Sequence, residues 1–179
     1  MILGIDVSTS ITGLAVLNSD GELIEYSSVI LKNEKDIFMK GILIKEKLIN
    51  LAETYSFDKV AIEKPFEFFN SGGSSAMTMA KLQKFNGIVS WMCFEIYEKK
   101  PIYYTATQAR GLVGIKVPRG QKSKEVVLEF LKESEPSFVI ETTKTGKAKP
   151  HYYDMADAIV IAKACFKDET PALDEQDEE

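Results

Sequence analysis

The chain has 179 residues and a mass of 20.0 kDa, with 45% apolar residues and a formal net charge of −5. That length suits one domain with a substantial core. No charged, apolar leader opens it, and Lys163 breaks the last apolar run well short of a membrane span, which points to a cytoplasmic protein with no membrane role.

Residues 2–7, 11–18 and 22–31 read as three successive strands, joined by STS at 8–10 and by NSDG at 18–21, a hairpin signal. Residues 35–55 change to helical period, with Ile37, Ile44, Leu48, Leu51 and Tyr55 on one stripe. A fourth strand spans 58–63, bounded by Asp58 and Pro65. FFNSGGSS reads as a loop, and 74–98 as a long helix capped by Ser74 or Ser75. PIYYTA at 101–106 makes a fifth strand. RGLVGIKVPRGQ is expected to be a loop entering a helix at 121–133, which turns Val126, Val127, Phe130 and Leu131 inward. A polar stretch at 134–150 precedes the last helix, 152–166. Cys93 and Cys165 lie in apolar helical patterns, allow no CxxC site, and read as core thiols. A meander followed by strand–helix alternation predicts an α/β fold, a five-stranded mixed sheet flanked by helices.

Four acids stand out against this pattern. Asp6, Glu63, Asp154 and Asp157 each sit inside or beside an apolar run, where a lone carboxylate is costly to bury. Drawn together they repel unless cations intervene. Carboxylates held in this way bind hard divalent ions, Mg²⁺ first, with Mn²⁺ accepting the same oxygen ligands. Metal-dependent phosphoryl chemistry follows as the leading class of function. The placement agrees: Asp6 lies near the end of the first strand, Glu63 closes the fourth, and Asp154 and Asp157, three apart, share a face near the start of the last helix. The plainer reading of Asp154 is a helix cap, and that of His151 a surface or cap residue.

Charge is unevenly spread. Residues 168–179 hold seven acids and no base, so without them the chain moves from −5 to +2. The tail is expected to be disordered, a partner-binding peptide or a mimic of DNA, with 1–167 as the folded body. Bases cluster at Arg110, Lys116, Arg119, Lys122 and Lys124, and again at Lys144, Lys147 and Lys149. Either run is a solvated face or a phosphate-binding rim.

GIDVSTSITGLAV, VAIEKPF and DMADAIVIA, in that order, resemble the RuvC-type Holliday-junction resolvases of the RNase H-like superfamily, over roughly residues 1–166. Ser8 and its neighbours replace the family's Pro-Gly turn, and the divergent loops resemble phage or viral members. The resemblance implies an RNase H-like fold and a Mg²⁺-dependent endodeoxyribonuclease that nicks four-way junctions symmetrically, leaving 5′-phosphate and 3′-hydroxyl ends. It implies Asp6, Glu63, Asp154 and Asp157 as catalytic ligands of two ions, with Asp6 nearest both; some members carry His at the position of Asp154. Phe66 resembles the family's base-stacking aromatic, although the plain reading is a core residue. Arg110 and Lys122 resemble its phosphate contacts, with Lys64, Arg119 and Lys124 as further bases that face DNA. Symmetric nicks imply a twofold homodimer, and helix 74–98 carries more apolar surface than one sheet face needs. A broader branched-DNA or flap nuclease, and a junction binder that does not cut, are the alternatives. A sugar-kinase or actin-like ATPase would need a second copy of the fold, which the chain lacks.

Overall fold

A computed structural model of the chain describes residues 1–65 and 76–169. Among these residues ten elements follow one another: β1 Ile2–Asp6, β2 Ile11–Leu17, β3 Leu23–Ile30, α1 Ile37–Thr54, β4 Lys59–Glu63, α2 Ala76–Tyr97, β5 Ile102–Tyr104, α3 Ala106–Val113, α4 Ser123–Ser134 and α5 His151–Glu169. The strands form one mixed sheet in the order β3-β2-β1-β4-β5. The meander β1–β2–β3 is antiparallel, whereas β4 and β5 add in parallel on the other side of β1.

Strict alternation divides the sheet residues between two cores. Leu3, Ile5, Val60 and Ile62 pack toward α1 and α2 with Ile44, Leu48 and Phe85. Ile2 and Ala61 face the other way, against α3, α4 and α5. Asp6 and Glu63 share the parity of Ile2 and Ala61, so both carboxylates point to the α5 side. Helix α5 is rich in alanine there, with Ala156, Ala158 and Ala162 fully buried. It approaches unusually closely: a Cβ on Gly4 would stand 2.4 Å from the Ala158 carbonyl oxygen.

The mixed sheet flanked by helices is the architecture expected from the sequence, but one helix was not foreseen. Residues 106–113, expected to end a strand and begin a loop, form α3. The Thr105 side chain accepts from the Gln108 backbone N–H while the Gln108 side chain accepts from Thr105, a capping box of the form T-x-x-Q. This shortens β5 to three residues. At the far end, α5 runs to Glu169, and Asp168 accepts a hydrogen bond from the Tyr104 hydroxyl at 3.0 Å. Phe66 and the Gly72–Gly73 loop lie outside the described residues. No helix among the described residues is long and apolar enough to cross a membrane.

Candidate active site

The end of β1 is fixed before any functional group is placed. Beyond Asp6, the Thr12 hydroxyl donates to the Ser8 carbonyl at 3.0 Å and accepts from the Ser8 amide at 3.3 Å. The buried Lys40 ammonium donates to the Thr9 carbonyl. The turn that replaces Pro-Gly is thus held by side chains. On β4, the Asn86 amide donates to the Glu63 carbonyl at 3.0 Å, and the buried Ser90 hydroxyl donates to the Asn86 carbonyl at 2.8 Å. Asn86 positions Glu63 through its backbone, a role invisible in sequence because it spans the sheet–α2 interface.

Asp6 pairs across the ladder with Gly13. A Cβ on Gly13 would meet the Asp154 carbonyl oxygen at 2.0 Å, so the first turn of α5 rests directly on β2 beside Asp6. Asp154 and Asp157 descend from that turn with 15% and 18% of their side chains exposed. The fold therefore brings together all four acids singled out from the sequence. Each carboxyl is pushed above its ordinary range, first by burial. For Asp6 the further causes are Glu63, Asp157 and Asp154, against the opposing pull of Lys124. Burial and Asp157 lift Glu63 to about 7, although Lys124 and Arg110 pull it down. Burial also raises Asp154 and Asp157.

Among the bases, Lys124 enters this cluster by direct contact. Its ammonium lies 3.2 Å from Asp154 and 3.4 Å from Asp157. Burial opposes its charge, but the pull of Asp157, Asp154 and Asp6 is greater, and its proton is held more tightly than in water. Arg110, on the unforeseen α3, is close enough to lower Glu63 and Asp157. Lys122, at the N-cap of α4, is 81% exposed and pairs at 3.5 Å with Glu125, whereas Lys124 reaches the carboxylates. Arg119 is exposed, and Lys64 continues β4 by donating its amide to the Tyr104 carbonyl at 2.8 Å.

The donor set fits a hard divalent cation: it is all carboxylate oxygen, and a cation, the Lys124 ammonium, already sits between two of the four groups. Among the described residues no three His, Cys, Asp or Glu side chains are gathered closely enough to hold one ion. A metal held here would take the same Asp154 and Asp157 oxygens that now pair with Lys124.

The family model described as crossover junction endodeoxyribonuclease RuvC matches residues 2–165. Relatives bearing that name include one from Bacteroides fragilis, 30% identical over 89% of this chain and 86% of its own length. Another, from Petrotoga mobilis, is 32% identical over 90% of each. The fold resembles that of Thermus thermophilus RuvC solved in complex with a Holliday junction substrate, with a TM-score of 0.64 at 18% identity, covering 95% of both chains. It also resembles the yeast mitochondrial Holliday junction resolvase, with a TM-score of 0.59 at 14% identity, covering 93% of this chain and 77% of the other. Three elements gather four acids where β1 and β4 end, and a match spanning residues 2–165 establishes that the chain belongs to the RuvC family of crossover junction endodeoxyribonucleases.

Proposed function

We propose that this protein is a structure-selective endonuclease that resolves four-way DNA junctions, with Asp6, Glu63, Asp154 and Asp157 as its metal-holding carboxylates. The convergence of these four groups around Lys124 carries the reading. Membership of the family, and the name of the relatives, supply the substrate class. Mg²⁺ is the ion the all-oxygen donor set favours, with Mn²⁺ fitting the same ligands. When bound, the metal activates water for attack on phosphorus and stabilises the departing 3′-oxygen.

The chain's own residues do the rest. Asp6, only 9% exposed, is the rigid centre of the site on the middle strand. Lys124, beside Asp154 and Asp157, would turn its charge to the non-bridging oxygens of the scissile phosphate and stabilise the charge that builds up during displacement. Arg110 offsets the acids from the α3 side and takes a neighbouring phosphate, with Lys64, Arg119 and Lys122 extending the basic rim. The base-stacking role stays with Phe66.

Symmetric incision needs two copies of the site related by a twofold axis. The outward stripe of α2 suits that contact: Trp91 is 64% and Phe94 39% exposed, and their rings stand 5.8 Å apart. We place the protein in the cytoplasm, with residues 1–167 as the nuclease body and 168–179 as an acidic appendage. The buried, unbridged Cys93 and Cys165 suit a reducing compartment.

The test compares a synthetic four-way junction, a flap and a linear duplex in Mg²⁺, with Asp6→Asn as control. Paired symmetric nicks on the junction, lost in the variant by at least roughly 100-fold, the scale of losing one charge-stabilising group, support the reading. Equal cutting of the flap turns it into a general branched-DNA nuclease. Tight junction binding without cutting turns it into a structure-specific binder.

A further inference from the structure

The second basic run, Lys144, Lys147 and Lys149, plays no part in the carboxylate site, yet the fold gives it a defined shape. Thr142 and Ala148 form an antiparallel bridge, and the Thr143 amide donates to the Lys147 carbonyl at 2.7 Å. The turn closes where the Gly146 amide donates to the Thr143 carbonyl at 2.9 Å. Gly146 has φ +78°, a left-handed conformation that glycine adopts at no steric cost. A side chain there would strain the turn. Residues 141–149 are therefore a short two-stranded finger.

The root of the finger is anchored. Phe138 is buried and meets Tyr26 at 4.9 Å and Tyr152 at 6.1 Å, both edge-on. The Tyr26 hydroxyl donates to the Val139 carbonyl at 3.0 Å and accepts from the Val139 amide at 3.1 Å. On the return strand, the Lys149 amide donates to the Glu141 carbonyl at 3.1 Å, and the Lys149 ammonium is taken by the Glu141 carboxylate. Lys144 and Lys147 differ: both are exposed, and among the described residues neither makes an ion pair. Between Thr142 and Ala148 there is no acid.

Position gives this charge a purpose. Tyr26 lies on the edge strand β3, two residues from Ser28, which pairs with Gly13, which in turn pairs with Asp6. The finger leads straight into α5, whose first turn carries Asp154. Two ladder steps put β3 about 10 Å from β1, and the arms 141–143 and 147–149 carry the turn about 7 Å beyond the finger's base. Resting on the junction reading above, we propose that residues 141–149 are a DNA-arm contact, with Lys144 and Lys147 gripping backbone phosphates of the duplex that flanks the scissile position. A narrow ribbon whose turn is Lys144, Thr145 and Gly146 brings its charge close to a duplex backbone and is of a width that a major groove admits.

The test uses the full chain without divalent metal, binding a fluorescent four-way junction across a salt series. In Lys144→Ala/Lys147→Ala the slope of log affinity against log salt falls by about 0.9 for each phosphate that a lysine no longer neutralises, close to 2 in all. Lys144→Glu/Lys147→Glu weakens binding further, and both variants keep the wild-type melting temperature. Single methylphosphonate linkages along one arm identify the phosphates that the finger grips: at those places neutralisation weakens the wild type and leaves the alanine variant unaffected. An unchanged slope in both variants, with wild-type protein that still binds and cuts junctions, overturns the finger alone. Wild-type protein that neither binds nor cuts junctions overturns the functional reading and the finger with it.

Discussion

The carbonyl oxygen of Asp154 occupies the space that a side chain at position 13 would need, 2.0 Å from where the Cβ of any residue but glycine would stand on Gly13. The obstacle is backbone, which cannot rotate aside. Since Gly13 is the ladder partner of Asp6, the close approach that admits α5 also sets the spacing between the central carboxylate and the two on the helix.

Gly13→Ala therefore lifts the first turn of α5 off the sheet. Overpacking of this kind costs about 1–3 kcal/mol, and the displacement of Asp154 and Asp157 lowers junction cleavage well beyond what the stability loss explains. Gly111→Ala is the contrast. It lies in α3 with nothing within 4 Å of its added methyl, so stability rises by up to about 1 kcal/mol. Melting curves and single-turnover cleavage on the pair separate the effects. Equal behaviour of the two variants contradicts the close-approach account.

The raised carboxyls make stability depend on pH in the metal-free protein. Glu63 titrates near 7 when folded, against an ordinary 4.5 when unfolded. Between those values the folded chain keeps a proton that the unfolded chain has released, so this contribution is intact below pH 4.5 and is lost as pH rises to 7. At about 1.4 kcal/mol per unit it amounts to roughly 3 kcal/mol. Asp6, Asp154 and Asp157 act in the same direction. In EDTA the melting temperature falls from pH 5 to pH 8. Mg²⁺ raises it more at pH 8 than at pH 5, because ligand binding favours the folded, ionised site. Glu63→Gln flattens the profile, raises the metal-free value at pH 8, and abolishes cleavage. A flat wild-type profile in EDTA contradicts the burial of the cluster.

Lys124 and a metal compete for Asp154 and Asp157. Lys124→Met removes the resident cation and leaves the acids uncompensated. The metal-free protein at pH 8 loses roughly 1 kcal/mol, a modest figure because the lysine side chain is 55% exposed and solvent screens the pair. Mg²⁺ affinity read by calorimetry rises in the same variant, while cleavage at saturating metal falls because the phosphate loses its partner. Unchanged metal affinity contradicts competition.

Trp91 and Phe94 are tested by charge. Trp91→Glu/Phe94→Glu shifts sedimentation from dimer to monomer and uncouples the two incisions, so that singly nicked junctions accumulate. The aromatic rings are exposed, so the monomer keeps its fold and its melting temperature changes little. A wild type that sediments as a monomer at every concentration excludes the α2 contact.

The amino-acid sequence by itself determined the identity of the four acids and the fold class. Each has a local signature: a carboxylate in an apolar run is costly enough to be noticed, and the period-2 and helical patterns around Asp6, Glu63, Asp154 and Asp157 are set by neighbours in the chain. The helix at 106–113 has a local signature too, in Thr105 and Gln108, but it competes with the strand propensity of the preceding tyrosines. What only the tertiary structure decided are relations between distant segments. Nothing local distinguishes Lys124 from Lys122; the pitch of α4 on α5 points one at the carboxylates and leaves the other in solvent. Gly13 looks like an ordinary strand glycine until α5 is laid across it. Asn86 and Tyr26 look like plain polar residues until their partners, the Glu63 carbonyl and Val139, arrive from other elements. The last two contacts span 23 and 113 positions of chain, beyond the reach of any local pattern, and exist only once the sheet and both helical layers have closed.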